Sequence, residues 1–245
     1  MNSTEPSSRT TTTPAPLPEQ RPPAQRKETV VLLHGILNPA LIMARIAWRL
    51  RREGYRVVNW GYPARSLTIE EHAAGLNALV RSVDGDSPIH FVGFSLGGLV
   101  IRYYLTHYPS PRAGRVIMIG TPNHGTEKVD AFYPKRWFRW LYGTRAMAQL
   151  RASNRRFFDE MGVPRVEFGI IAGSRGDARG FSRLLKGDDD GAVSVESAGL
   201  EGAADFILLP HTHTVLVLAP ETVRQVAAFL RHGRFDQKTK RTGFK

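Results

Sequence analysis

Cysteine is absent from the 245 residues. That excludes a disulfide framework, a thiol nucleophile and any cysteine-ligated zinc or iron–sulfur site, and it fits a reducing compartment. No run approaches the roughly 18–20 uninterrupted apolar residues of a membrane span. No apolar segment follows a basic amino-terminal region, so no secretory signal is expected and the cytoplasm is the expected location. The phosphate-binding spacings G-x-x-x-x-G-K-[S/T] and G-x-G-x-x-G are also missing. What is there looks like an ordinary globular chain, with 42% hydrophobic and 23% charged residues. The length supports one sizeable core and leaves little room for a second domain.

The formal net charge is +12, and its placement matters more than its size. Residues 231–245 carry a net +5 and residues 127–158 a net +6, so two segments hold +11 of the total. Local basicity of this kind asks for an anionic neighbour, such as an anionic membrane surface, nucleic acid or an acidic partner. No nucleic-acid module accompanies the cations, and nucleic acid ranks last among these.

Residues 1–28 are rich in Ser, Thr and Pro and almost free of large apolar side chains. They cannot bury enough surface to offset their ordering entropy and are expected to be a disordered tail. Residues 236–245 read as a basic tail. Between them lies one domain, residues 29–235, in which strands and helices alternate. Val30 to Leu33 is a short apolar run suited to a strand buried on both faces. Residues 39–53 read as one helix, with Met43, Ile46, Ala47 and Leu50 on one face. Arg56–Trp60 is the next strand. Thr68 and Glu71 form a capping box that opens a helix carrying Leu76, Leu79, Val80 and Val83. A third strand ends at Gly93-Phe94-Ser95-Leu96-Gly97-Gly98 and leads into an apolar helix. Residues 115–119, 167–172 and 206–209 read as further strands, and residues 220–231 as a last helix. This alternation predicts an α/β fold: a mostly parallel sheet of about six strands covered by helices on both faces.

Gly93-x-Ser95-x-Gly97 is the sharpest chemical signal. A hydroxyl perched between strand and helix needs a tight, strained turn, and the flanking glycines remove side chains that would collide there. The following helix aims its amino end at a site where negative charge will develop. The alternative use of such a turn, phosphate binding, lacks its own spacing here.

The chain resembles the α/β-hydrolase family, in particular its small bacterial lipases and esterases. The resemblance lies in Val31-Leu32-Leu33-His34-Gly35-Ile36, the turn at Ser95, Gly120-Thr121-Pro122-Asn123-His124-Gly125-Thr126, Asp190-Gly191-Ala192-Val193 and Leu209-Pro210-His211-Thr212-His213-Thr214, in that order over roughly residues 29–232. It implies that Ser95 is the nucleophile, Asp190 the triad acid and His213 the triad base. It also implies that the backbone N–H groups of Ile36 and Leu96 form the oxyanion hole. Ser95, Asp190 and His213 would follow the third, fifth and sixth strands, and the carboxyl ends of parallel strands share one edge. Two ambiguities stay open at this stage. Asp188, Asp189 and Asp190 are adjacent, and His211 and His213, two apart on an extended backbone, would point the same way. The acidic triplet misses the calcium-loop spacing, with Lys186 at its first position and Ser197 at its twelfth. Asp188 and Asp189 therefore read as a solvated loop. No metal and no cofactor is expected.

The remaining histidines read as structural: His34 bracing the oxyanion loop, His124 ordering a loop, His90 satisfied in a strand, and His72, His107 and His232 on helix surfaces or loops. Residues 126–162 read as a small helical lid insertion. Its Phe132, Trp137 and Trp140 are candidates for covering the substrate, with interleaved cations that suit lipid headgroups. The other reading packs Phe132, Trp137, Trp140 and Leu141 onto the core. The function implied is cleavage of carboxylic esters through an acyl-enzyme. The alternatives are an acyltransferase on the same fold, or a non-catalytic relative that binds anionic membrane or nucleic acid.

Overall fold

The computed structural model describes residues 27–236. The tails expected over residues 1–28 and 236–245 fall outside them, except for Lys27, Glu28 and Asp236. Six strands, β1 (Thr29–Leu33), β2 (Arg56–Trp60), β3 (Ile89–Phe94), β4 (Ala113–Ile119), β5 (Phe168–Gly173) and β6 (Asp205–Leu209), form one sheet in the order β2-β1-β3-β4-β5-β6. Every neighbouring pair is parallel. The strand order reverses between β1 and β3. A crevice opens there because the connections leave on opposite faces.

The helices are α1 (Ala44–Arg52), α2 (Ile69–Arg81), α3 (Leu96–His107), α4 (Glu127–Phe132), α5 (Arg136–Tyr142), α6 (Arg145–Gln149), α7 (Arg155–Glu160), α8 (Val195–Ala198), α9 (His213–Leu218) and α10 (Pro220–His232). The two-residue period of the strands divides the core. Val31, Leu33, Phe91 and Met118 face one side, with Leu76 of α2 and Leu99 and Ile101 of α3. Val30, Leu32, Val92 and Phe94 face the other, with Ile46 and Leu50 of α1 and Val226 and Leu230 of α10. β1, β3 and β5 are buried along their whole length, which is why they are almost wholly apolar, His90 of β3 being the exception.

The structure differs from the sequence reading in two elements. The helix expected over residues 39–53 begins as a 3-10 turn, Ala40–Met43, with Ile42 N–H donating to Pro39 O, and only then continues as α1. The Thr68–Glu71 capping box opens α2 as expected. The inward stripe of α2, however, starts two turns earlier than read, at Ile69, His72, Ala73 and Leu76. His72, expected on the surface, is therefore 1% exposed. Tyr62 packs edge-on against the His72 ring and Gln149 of α6 accepts from the Ile69 N–H, so the first turn is covered.

Candidate active site

Ser95 sits between β3 and α3 with φ 53° and ψ −120°, and among the described residues no other non-glycine has a positive φ. Such a conformation costs about 1–3 kcal/mol and persists only where its surroundings enforce it. Here the Ser95 N–H donates to Ile119 O of β4 at 2.8 Å. The turn also leaves no room beside it. A Cβ on Gly93 would lie 2.5 Å from the Gly98 nitrogen, and one on Gly97 2.5 Å from Leu33 O. The glycines on either side of the serine let α3 rise against the end of β1.

The Ser95 hydroxyl lies 3.0 Å from His213 Nε2. His213 Nδ1 lies 2.6 Å from Asp190 Oδ2. Asp190 is 1% exposed, and its other oxygen accepts from the N–H groups of Ala192 and Val193 at 2.9 and 2.8 Å. The His213 N–H donates to Asp190 O at 2.7 Å, so the two residues are joined through backbone as well as side chain. Gly120, at φ 54°, underlies the pair, and a Cβ there would come 3.1 Å from His213 Nδ1.

Of the adjacent acids, Asp190 alone meets the histidine. Asp188 and Asp189, expected in a solvated loop, instead hold turns together. Asp188 accepts from Ser174 Oγ and the N–H groups of Arg175 and Gly176. Asp189 is buried and accepts from Gly191 and Ser182 N–H. Unpaired amide hydrogens in a glycine-rich loop draw carboxylates inward. His211 and His213 do not point the same way. Thr212 is extended, at φ −70° and ψ 159°, but His213 opens α9 and turns toward Ser95, while His211 Nε2 faces Glu221 at 3.5 Å. The onset of the helix breaks the two-residue alternation.

Ile36 lies in the turn after β1, and Leu96 is the first residue of α3. Neither N–H donates to a protein acceptor among the described residues. The loop bearing Ile36 is fixed from below. His34 Nδ1 lies 2.8 Å from Gly35 O, and the Tyr62 hydroxyl donates to His34 O at 2.6 Å. Tyr62 N–H faces His34 Nε2 at 3.4 Å, and the two rings stack at 4.4 Å. An amide donor at Nε2 leaves Nδ1 as the protonated nitrogen. Burial lowers the pKa of His34 and so favours this neutral form.

A cavity of about 470 Å³ adjoins the three side chains, and Ile36, Ser95, Asp190 and His213 all line it. Its apolar wall comes from Val129, Phe138, Tyr142, Met147 and Leu150, all within the lid-like segment. Phe132, Trp137 and Trp140, expected over the substrate, do not line it. Trp137 is 56% and Trp140 80% exposed, and Phe132 stacks on Phe138 at the side. The packing of Trp137, Trp140 and Leu141 onto the core is likewise not what the structure has, because all three face solvent. α5 has two apolar stripes, Trp137-Trp140-Leu141 and Phe138-Tyr142, at helical spacing. The second stripe is the inner one, and that spacing is the only sequence signal for Phe138 and Tyr142. Residues 126–162 are tied to α2 by Arg145–Glu71 at 2.7 Å and by Gln149, which donates to Glu70 and accepts from the Ile69 N–H. No helix among the described residues is long and apolar enough to cross a membrane.

Comparisons with known proteins agree with this architecture. A family described as alpha/beta hydrolase fold matches residues 28–162. Among solved structures, the mature lipase BlEst2 of Bacillus licheniformis is 21% identical with a TM-score of 0.69, over 87% of this chain and 94% of that one. The metagenomic carboxyl esterase MGS0156 is 19% identical with a TM-score of 0.68, over 88% and 80% of the two chains. Phospholipase PlaB from Legionella pneumophila is 12% identical with a TM-score of 0.64, over 87% and 61%. The comparison with curated proteins yields no match. The solved structures are alike in fold, whereas the family match rests on the sequence and spans more than half of it, from the start of β1 to residue 162. The chain therefore belongs to the alpha/beta hydrolase fold family.

Proposed function

We propose that the protein hydrolyses carboxylic esters through a serine acyl-enzyme. The observation that carries the reading is the continuous line from Asp190 Oδ2 through the His213 imidazole to Ser95 Oγ, at 2.6 and 3.0 Å. A serine hydroxyl is a weak nucleophile at neutral pH and needs a base within hydrogen-bond reach, and that base needs an orienting carboxylate. Asp190 holds the proton of His213 on Nδ1, which leaves Nε2 free to accept the proton of Ser95. Ser95 Oγ attacks the ester carbonyl, and the oxyanion is received by the N–H groups of Ile36 and Leu96 at the amino end of α3. His213 returns its proton to the leaving alcohol. Water then attacks the acyl-enzyme with His213 again as base, and the acid is released. The apolar wall of Val129, Phe138, Met147 and Leu150 suits an acyl chain. The lipase and esterase structures with the same fold favour this substrate class over other hydrolase substrates.

The outer lid surface supports contact with an anionic lipid surface. Trp137, Trp140 and Leu141 are exposed there beside Lys135 and Arg136. Ser95→Ala is expected to lower turnover of p-nitrophenyl butyrate by about 10⁴-fold or more and to abolish labelling by a fluorophosphonate probe, with the melting temperature unchanged. Wild-type levels of turnover in that variant remove Ser95 from the chemistry.

A further inference from the structure

The cavity beside Ser95 has two charged residues in its lining, Asp190 and Lys128. The carboxylate of Asp190 is fully engaged, by His213 on one oxygen and two amides on the other. Lys128 is not engaged in the same way. Its ammonium donates to Gly191 O at 2.6 Å, and no carboxylate pairs with it among the described residues. Asp130, on the same short helix, is committed to Arg151 and Ser153. An ammonium has three donors, and one carbonyl leaves two unused. Lys128 is half-buried in a wall it shares with Val129. Its position is also fixed, because Thr126 Oγ1 donates to Ala192 O at 2.7 Å and ties the start of α4 to the loop that carries Asp190.

We propose that Lys128 makes the cavity selective for esters that carry a second, anionic group, a carboxylate or a phosphate, on the part of the molecule held between α4 and residues 190–193. This rests on the ester-hydrolase reading of the same cavity. A neutral ester leaves the ammonium facing an apolar chain. An anionic one gives it a charge-assisted hydrogen bond in a region of reduced dielectric, where such bonds are strongest. The chemistry at Ser95 is the same for both, so the difference shows in selectivity.

The test compares kcat/KM for pairs matched in chain length. p-Nitrophenyl hydrogen adipate against p-nitrophenyl hexanoate probes a carboxylate. A lysophosphatidic acid against the corresponding monoacylglycerol probes a phosphate. Wild-type protein is expected to favour the anionic member of at least one pair. Lys128→Gln lowers that charged-to-neutral ratio by about tenfold, Lys128→Glu lowers it further, and Lys128→Arg keeps it. Because the ratio is taken within each variant, it is insensitive to the fraction folded. An unchanged ratio in Lys128→Gln, with both substrates losing activity together, means that Lys128 only tethers Gly191 and overturns the proposal, as does a wild-type preference for the neutral member of both pairs. A second readout is independent of turnover: binding of monomethyl adipate to the Ser95→Ala protein by calorimetry, expected to weaken about tenfold when Lys128→Gln is added. If binding depends on Lys128 but no ester is hydrolysed, the anion site stands and the hydrolase reading falls. If hydrolysis proceeds and neither readout depends on Lys128, the reverse holds.

Discussion

Tyr62 does three things at once for the loop that leads to Ile36. Its hydroxyl donates to His34 O, its N–H faces His34 Nε2, and its ring stacks on the imidazole. Burial raises the pKa of the phenol, so it stays a donor across the working pH range. Tyr62→Phe keeps the stack and leaves His34 O without its donor. A peptide next to a proposed oxyanion donor then gains freedom. The expected outcome is a fall in kcat of about tenfold with KM nearly unchanged, because an oxyanion contact is made in the transition state and not with bound substrate. Steady-state kinetics on a neutral p-nitrophenyl ester measure the split, and a rise in KM at constant kcat would instead place Tyr62 in substrate binding. Nothing about a lone tyrosine after Gly61 marks it for this role in the sequence. Its partner His34 was legible because it follows the apolar run of β1.

At the scale of elements, Arg102 is the unexpected residue. It lies in the middle of α3, a helix that reads as apolar, yet it is 2% exposed. Its guanidinium donates to Gly162 O at 2.7 Å, Asn123 O at 2.7 Å and Phe158 O at 2.9 Å. It thereby joins α3 to the loop after β4 and to α7 and the residues just after it. Burial lowers its pKa to about 10, so it remains charged at neutral pH. Its planar, forked donors suit several carbonyls at once, which a lysine does not. Arg102→Met orphans three acceptors, and the expected cost is roughly 3 kcal/mol or more, a drop in melting temperature of about 6–12 °C. Differential scanning calorimetry decides it, and a change within 2 °C, of the order of a neutral substitution, would mean that water replaces the guanidinium. Helix α5 shows the same dependence on context. Its helical spacing permits two apolar stripes, and packing against the core cluster turns Phe138 and Tyr142 inward while Trp137 and Trp140 face out.

For the whole molecule, three buried histidines couple stability to pH. His34, His72 and His90 each have a lowered pKa, with burial as the leading cause. His72 Nε2 has no hydrogen-bond partner among the described residues, so a second proton there is unsupported. Unfolded, these imidazoles take up protons around pH 6.5; folded, they do so only at lower pH. The unfolded chain therefore binds more protons below about pH 6.5, and stability falls as pH drops through that value toward the folded pKa values. Each histidine adds a slope of up to about 1.4 kcal/mol per pH unit within its window. Urea midpoints are expected to be lower at pH 5 than at pH 7.5, and His72→Phe is expected to flatten the dependence. Equal midpoints for the wild-type protein at the two pH values would show that these rings are already charged or freely hydrated when folded.

What the amino-acid order determined by itself was local or periodic. Apolar runs marked the buried strands, the Thr68–Glu71 box marked the start of α2, and the glycines around Ser95 marked a turn that only small neighbours permit. Strand–helix alternation then sufficed for a parallel sheet that brings Ser95, residues 188–190 and residues 211–213 to one edge, because parallel strands end on the same side, and the resemblance to the α/β-hydrolases singled out Asp190 and His213 among them. The resemblance had pointed to Asp190 and His213, but only the tertiary structure has the contacts that turn one of several adjacent, similar groups inward. Asp190 rather than Asp188 or Asp189 meets the imidazole, His213 rather than His211 begins a helix toward Ser95, and Lys128 rather than its cationic neighbours lines the cavity. Such choices depend on contacts between residues far apart in the chain, where burial leaves one rotamer and one partner, and no spacing along the sequence encodes them.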